Sequence, residues 1–302
     1  MANDALREIV KREFDATYNI KQEIGNMKFS DFAQKYLENY SMVNKPSWRK
    51  TDYLYINSIF IPYFGKYRLK DITPVMCEKF KKARMDSGVQ KNSINIELHY
   101  IKKIFKQAIK WGDADTNPMN DVEFFKVIPK EKKTLTKEQE QRLLKALEKE
   151  DSWMCPLVVF GLHTGLRRKE MLELSWKNVS IEKATAYIPA ESRKNKRPQI
   201  VLLNSIALKL LKEMQANNGN GKDLVFGFNE STVEKAMAKA CKSANLKDVS
   251  MHTLRHTHAS RLEENGYSEF ATAALGHSSR QITKGYIHFN EKFLREAQES
   301  LA

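Results

Sequence analysis

ATAYIPAESRKNKRPQIVLLN, residues 184–204, is the one stretch of this chain that reads as β structure. ATAYIPA (184–190) and PQIVLLN (198–204) are short runs rich in β-branched and aromatic residues, and the basic turn ESRKNKR separates them. Everything on either side is patterned at helical spacing. The expected fold is therefore mainly α with a small β-hairpin or sheet set inside its second half.

Working outward, helices are predicted at 205–217, 230–244, 251–264 and 268–275 on the C-terminal side, and at 137–149, 153–163 and 168–175 on the N-terminal side. Thr136 followed three residues later by Gln139 is a capping-box signature that opens the first of these. Upstream, IPKEKKTLT (128–136) reads as an exposed basic linker and GDADTNPMNDV (112–122) as a turn-rich end to a long helix. From Phe29, the residues Phe32, Ala33, Tyr36, Leu37 and Tyr40 repeat as one face, with Ser30 or Asp31 as the cap. Further helices are expected at 47–60, at 74–86 after Thr73-Pro74, and at 92–111. The boundaries that follow are a short helical extension (1–25), a helical unit (26–128), a linker (129–135), a second unit (136–290) and an amphipathic tail helix (291–302).

The 302 residues carry 51 Lys plus Arg against 37 Asp plus Glu, a formal +14 with a pI near 9.5. Residues 26–128 alone hold 18 basic and 11 acidic side chains, a net +7. Such an excess favours a polyanion, and each neutralised phosphate releases counterions. Arg49 and Lys50 in WRK, Lys81, Lys82 and Arg84 in KFKKAR, and Lys102, Lys103 and Lys106 on the next helix are the candidate DNA-contacting cations. No apolar run approaches the roughly 20 residues of a membrane span, and the N-terminus has no signal-peptide pattern, so the reading is a cytoplasmic protein. Cys77, Cys155 and Cys241 are too few and too scattered for a disulfide framework or a zinc knuckle.

Four polar clusters in the second unit ask for chemistry. HTGLRRKEMLEL (163–174) marks a sharp helix entry at Gly165 and puts Arg167 in the first turn, with Glu170 three residues on to hold its fork. Taken alone, such a pair is usually an ordinary surface contact. SRKNKRP offers Lys194 and Lys196 as mobile donors, although most basic turns are merely solvated. MHTLRHTHASRL (251–262) places His252 and Arg255 on one helical face, followed by His256 and His258. His252 and His256 have metal-helix spacing, but no Glu follows the first histidine as HExxH requires and no Cys is near, which leaves the zinc reading weak and no metal expected. LGHSSRQITKGYIHFN (275–290) sets His277 nine residues before Tyr286, with His288 beyond. A phenol is a poor nucleophile unless cations stabilise its oxyanion and the charge growing on its electrophile. Two arginines, a lysine and two histidines suit an anionic electrophile such as a phosphodiester.

In order and local spacing, Arg167 in TGLRRKE, His252 and Arg255 in HTLRH, His277 in LGH and Tyr286 resemble the active-site boxes of the tyrosine recombinases, the phage integrase family. The resemblance implies that Tyr286 attacks the scissile phosphate to make a 3′-phosphotyrosine and release a 5′-hydroxyl. Arg167 and Arg255 would clamp the phosphate, and His252 and His277 would add hydrogen bonds and handle protons. The hairpin lysine that protonates the leaving oxygen maps best to Lys194, with Lys196 the alternative, and Glu170 matches the supporting acid.

The resemblance further implies an N-terminal core-binding (SAM-like) domain that closes with the catalytic domain as a C-shaped clamp on double-stranded DNA. It implies chemistry without cofactor, metal or ATP, and a homo-tetramer on two synapsed sites, with head-to-tail contacts that close a ring. The tail helix resembles the element that docks on a neighbouring subunit. An excisionase or a host DNA-bending protein would be a further partner, and the site of action would be the nucleoid. The resemblance does not extend to a full N-terminal arm-binding domain. Two other readings use the same residues differently: a type IB topoisomerase working as a monomer, and a noncatalytic DNA-binding protein with a degenerate site.

Overall fold

The computed structural model describes residues 24–41, 46–128, 132–217, 221, 223–268, 271 and 291–302, with the backbone alone at 46–49 and 291. Nearly all of the expected helical extension (1–25) and most of the helix expected at 268–275, together with His277, Tyr286 and His288, lie outside the described residues. The chain divides into two compact units, Met1–Pro129 and Lys130–Ala302. No helix among the described residues is long and apolar enough to cross a membrane.

The first unit is helical. Helix α1 (Phe29–Tyr36) runs on through a widened π turn to Ser41. Helix α2 (Pro46–Tyr55) does the same over Ile56–Phe60 and continues as α3 (Ile61–Phe64). The expected helix thus extends past Pro62, whose missing N–H is accommodated where the regular ladder has already been broken by the wider turn. Neither Ser30 nor Asp31 caps α1. The cap position is Lys28, in extended backbone, and the first free N–H groups find main-chain acceptors instead: Phe29 donates to the Tyr67 carbonyl (2.8 Å) and Ser30 to that of Gly65 (3.2 Å). At α4 (Pro74–Asp86) the Thr73 hydroxyl does cap, accepting from Met76 N–H at 3.3 Å.

Helix α5 (Lys91–Lys110) supplies the central face, with Ile94, Leu98, Ile101, Ile104, Phe105 and Ala108 all buried. It closes on Phe29, Phe32, Phe60, Phe64 and Phe80, whose rings contact at centroid distances such as 5.3 Å for Phe64–Phe80. Several cations of this unit are used internally. Arg84 makes a two-pronged bond to the buried Glu97 (2.8 and 2.7 Å). Lys81 pairs with Glu78 at 3.1 Å and lies over the Phe125 ring. Lys103 sits over the rings of Tyr40 (5.3 Å) and Tyr100 (5.7 Å). Lys50, Lys82 and Lys106 are exposed and Lys102 is half-buried.

The second unit opens with α6 (Lys137–Glu150), whose capping box forms as expected: Gln139 N–H donates to the Thr136 hydroxyl and Thr136 N–H to the Gln139 side chain. Next come α7 (Cys155–Thr164) and α8 (Arg168–Leu172), the latter shorter than its predicted span. The sheet is antiparallel in the order β1 (Val179–Ser180), β2 (Thr185–Ile188), β3 (Gln199–Leu202), so a third short strand joins the expected pair. Thr185 faces Leu202 and Ile188 faces Gln199. Ala186, Ile188 and Val201 point inward, while Tyr187 and Ile200 form an outward pair. Helices α9 (Ser205–Ala216), α10 (Glu230–Ser243) and α11 (Met251–Glu264) complete the body.

The tail helix α12 (Glu291–Glu299) packs on its own unit. Ala297 and Leu301 are buried with Leu262 and Ala271, and Gln298 donates to the main-chain carbonyl of His163. Within a single chain, this is the surface available to its apolar face.

Arg84→Ala should destabilise the first unit by about 3 kcal/mol, because it strands the buried Glu97 carboxylate. Lys106→Ala, a change at an exposed position, should stay within about 0.5 kcal/mol in the same urea titration.

Candidate active site

Helix α7 is apolar almost throughout and ends at Gly165, in left-handed backbone (φ +62°), which turns the chain sharply into α8. A second constraint acts on the same residue: a Cβ there would lie 2.5 Å from Cδ2 of His258. Only glycine meets both demands. The turn delivers Arg167 to the cap position of α8 rather than to its first turn. There the Glu170 carboxylate accepts from the Arg167 backbone N–H and, through its other oxygen, from the Arg167 guanidinium, both at 2.9 Å. Glu170 is only 1% exposed. The carboxylate of this pair is interior while the Arg167 guanidinium side is half-buried, unlike the exposed pair that such spacing usually produces.

Glu170 has a second cationic neighbour that the sequence pattern did not distinguish. Arg193, 5% exposed, approaches Glu170 Oε1 through Nε at 3.4 Å. Its Nη1 donates to the carbonyls of Arg197 (3.0 Å) and Pro198 (3.5 Å). Within SRKNKR, the charge pattern gives no sign of which cation turns inward, since neighbours in a turn share composition but not burial. Lys194, next in the chain, is exposed. Lys196 adopts left-handed backbone (φ +55°), and its ammonium folds back to the Glu191 carbonyl at 3.3 Å.

Helix α11 packs along α7, in close contact where a Cβ on Gly161 would come within 3.2 Å of Leu254. Arg255 is thereby buried, and its guanidinium donates to the main-chain carbonyl of Gly165. Burial first, then the charge of Arg167, lower its pKa to about 10, with Glu170 opposing and Arg193 adding to the shift. The group remains charged at neutral pH. His252, one turn earlier and exposed, is also shifted down, by burial and then by Arg255, Arg167 and Lys132, which favours a neutral imidazole. His256 stacks edge-to-face on His252 at 4.5 Å. Among the described residues, no three His, Cys, Asp or Glu side chains gather as a metal cage.

Two deeper histidines brace this arrangement. His258 Nδ1 lies 2.9 Å from the Leu162 carbonyl, so it carries the proton, and Nε2 is buried without a partner among the described residues. His163 Nδ1 accepts from Asn204, whose amide oxygen caps α9. Arg167, Glu170 and Arg255 thus gather with Arg193 around one turn, with His252 within reach of the same charges. A cluster of fixed guanidiniums beside a neutral imidazole and an exposed lysine is suited to bind and polarise a phosphodiester. His277 and Tyr286 lie outside the described residues.

The chain thus has a helical first unit and a mainly helical second unit that carries the arginine cluster around Glu170. Residues 133–292 match the phage integrase family, and residues 28–83 match the phage integrase N-terminal SAM-like domain. The chain belongs to the phage integrase family. Similar proteins include the shufflon-specific DNA recombinase of Escherichia coli, 28% identical over 237 residues, a match that covers 77% of this chain and 58% of that protein. The ICEBs1 integrase of Bacillus subtilis (strain 168) is 24% identical and is matched over 94% of this chain and 85% of its own. In fold, the chain resembles the lambda integrase tetramer bound to a Holliday junction, with a TM-score of 0.72, 18% identity, and coverage of 92% of this chain and 88% of that one.

Gly165→Ala should lower stability by about 2 kcal/mol or more, because the strained backbone and the contact with His258 add together; urea denaturation reads this directly. Burial lowers the pKa of both His163 and His258 to about 4, from an ordinary 6.5. Groups held neutral in the fold contribute stability that is complete above the unfolded value and is lost as pH falls toward the folded one. The unfolding midpoint should therefore drop between about pH 6.5 and 4, and His258→Phe should flatten that slope.

Proposed function

We propose that this protein is a site-specific tyrosine recombinase that cuts and rejoins double-stranded DNA through a 3′-phosphotyrosine intermediate, integrating or excising a mobile element. The observation that carries this reading is the pairing of Arg167, fixed by Glu170, with Arg255, fixed by the Gly165 carbonyl, in a chain that belongs to the phage integrase family. Support for one shared phosphate site is that the charge of Arg167 bears on both Arg255 and His252.

In the proposed step, the Tyr286 phenolic oxygen attacks phosphorus while the bond to the 5′-oxygen breaks. The phenolic proton passes to a histidine, His252 or His277, and the leaving oxygen takes a proton from Lys194. Arg167 and Arg255 hold the nonbridging oxygens as charge accumulates. Lys194 is favoured over Lys196 because the latter's ammonium is turned back onto Glu191. The phosphotyrosine keeps the phosphodiester's bond energy, so a 5′-hydroxyl from the partner strand reverses the step and seals the new joint.

The names of the two relatives, a DNA recombinase and an integrase, favour strand exchange over relaxation by a lone protomer. Four protomers on two sites are proposed by analogy with the lambda tetramer. Lys50, Lys82, Lys102 and Lys106 remain open to phosphates, whereas Arg84 and Lys81 serve the fold first. Arg49, whose side chain lies outside the described residues, joins these candidates through the basic run WRK. With DNA as substrate, the protein acts in the cytoplasm at the nucleoid, where an excisionase or host DNA-bending protein would set direction.

Trapping on a nicked, labelled duplex carrying an element junction tests the nucleophile. Wild type should give a protein–DNA adduct on a denaturing gel. Tyr286→Phe should give none while binding the same duplex with unchanged affinity, and an adduct from that variant would refute the assignment.

A further inference from the structure

Arg193 is buried in an arm that is otherwise exposed from Lys194 to Pro198. Its guanidinium does two things at once. It bridges the carbonyls of Arg197 and Pro198, which closes the arm on itself, and it reaches the Glu170 oxygen that already holds Arg167. One carboxylate therefore ties the helix entry bearing Arg167 to the arm bearing Lys194. Lys194 is joined directly to Arg193 in the chain, so its backbone has little freedom to drift from the arginine pair.

We propose that Arg193 is the positioning residue for Lys194: it holds the arm in register with Arg167 and Arg255 so that the lysine ammonium meets the leaving 5′-oxygen. This rests on the reading of Lys194 as the proton donor to that oxygen. A lysine in place of Arg193 would keep a charge beside Glu170 but, with a single nitrogen, could not hold that carboxylate as Nε does and the two carbonyls as Nη1 does at the same time. Long, mobile lysine side chains lose reach quickly when their anchor moves, and misplacement by about 1 Å costs on the order of 100-fold in rate.

The test compares single-turnover adduct formation by the full-length protein on two nicked duplexes carrying the same junction. In one the scissile phosphate is natural. In the other, sulfur replaces the bridging 5′-oxygen, so the P–S bond breaks and a thiolate departs without needing a proton. On the natural phosphate, Arg193→Met and Lys194→Ala should each slow attack by about 100-fold, within the range for loss of a general acid, with Arg193→Lys in between. On the sulfur substrate, both Arg193→Met and Lys194→Ala should recover to within about fivefold of wild type, while Arg167→Lys stays slow on both, since phosphate clamping by the bidentate arginine fork is still required. The double variant Arg193→Met/Lys194→Ala should be no slower than Lys194→Ala alone.

Wild-type speed for Arg193→Met on the natural phosphate would overturn the proposal. So would its persistent slowness on the sulfur substrate while Lys194→Ala recovers, since Arg193 would then act through Arg167 or the fold. Arg193→Lys, which keeps a cation against Glu170, carries the same comparison if the methionine variant does not fold. Failure of Lys194→Ala itself to recover would instead remove the proton-donor reading of Lys194, and the proposal with it.

Discussion

A carboxylate almost sealed from water, that of Glu170, faces two guanidiniums brought from separate places in the chain. Leaving such a charge unpaired in the interior costs several kcal/mol, so once α8 packs inward its glutamate demands cations. Arg167 answers from the helix cap three residues earlier, and Arg193 answers from the arm between β2 and β3. The sheet and the helix entry are held together by that demand. Arg255 adds a third guanidinium through a main-chain acceptor, so its position follows from how α7 ends.

The outcome is a concentration of positive charge that the protein offsets only in part. Glu170 opposes the mutual repulsion, yet Arg255 is still pushed down to about 10 by burial and by its neighbours, and His252 is shifted down as well. A bound dianionic transition state would relieve what the folded chain leaves unbalanced, and fixed donors need no reorganisation as the charge develops. The formal +14 of the whole chain acts at longer range, drawing a polyanion toward this site without choosing a sequence.

Much of the fold is legible in the sequence. The capping box at Thr136 formed, the helical face from Phe29 to Leu37 is buried, and the lone β signal is the sheet. Local chemistry, read at periods of 3.6 and 2, carries those features. What escaped depends on contacts distant in sequence. The cap of α1 is supplied by carbonyls at 65 and 67, which replace Ser30 and Asp31. Strand β1 is two residues long, too short to show a period. In the basic runs, Arg84 and Lys81 turned to internal partners and Arg193 turned inward beside an exposed Lys194, although composition treats them alike.

The bond from Arg255 to the Gly165 carbonyl ends on a peptide oxygen that every residue possesses. No substitution can delete that acceptor; only a shift of the backbone can remove it. The place of that acceptor is therefore a matter of chain length as well as of the glycine that sets the turn. Between the close helix crossing at Gly161 and the cap at Arg167 every residue up to Leu166 is buried, so packing and the turn at Gly165 together fix the path of the backbone. One residue inserted or lost within the last turn of the helix would carry the carbonyl around the helix axis by about 100°, the turn per residue of an α-helix, and away from this guanidinium.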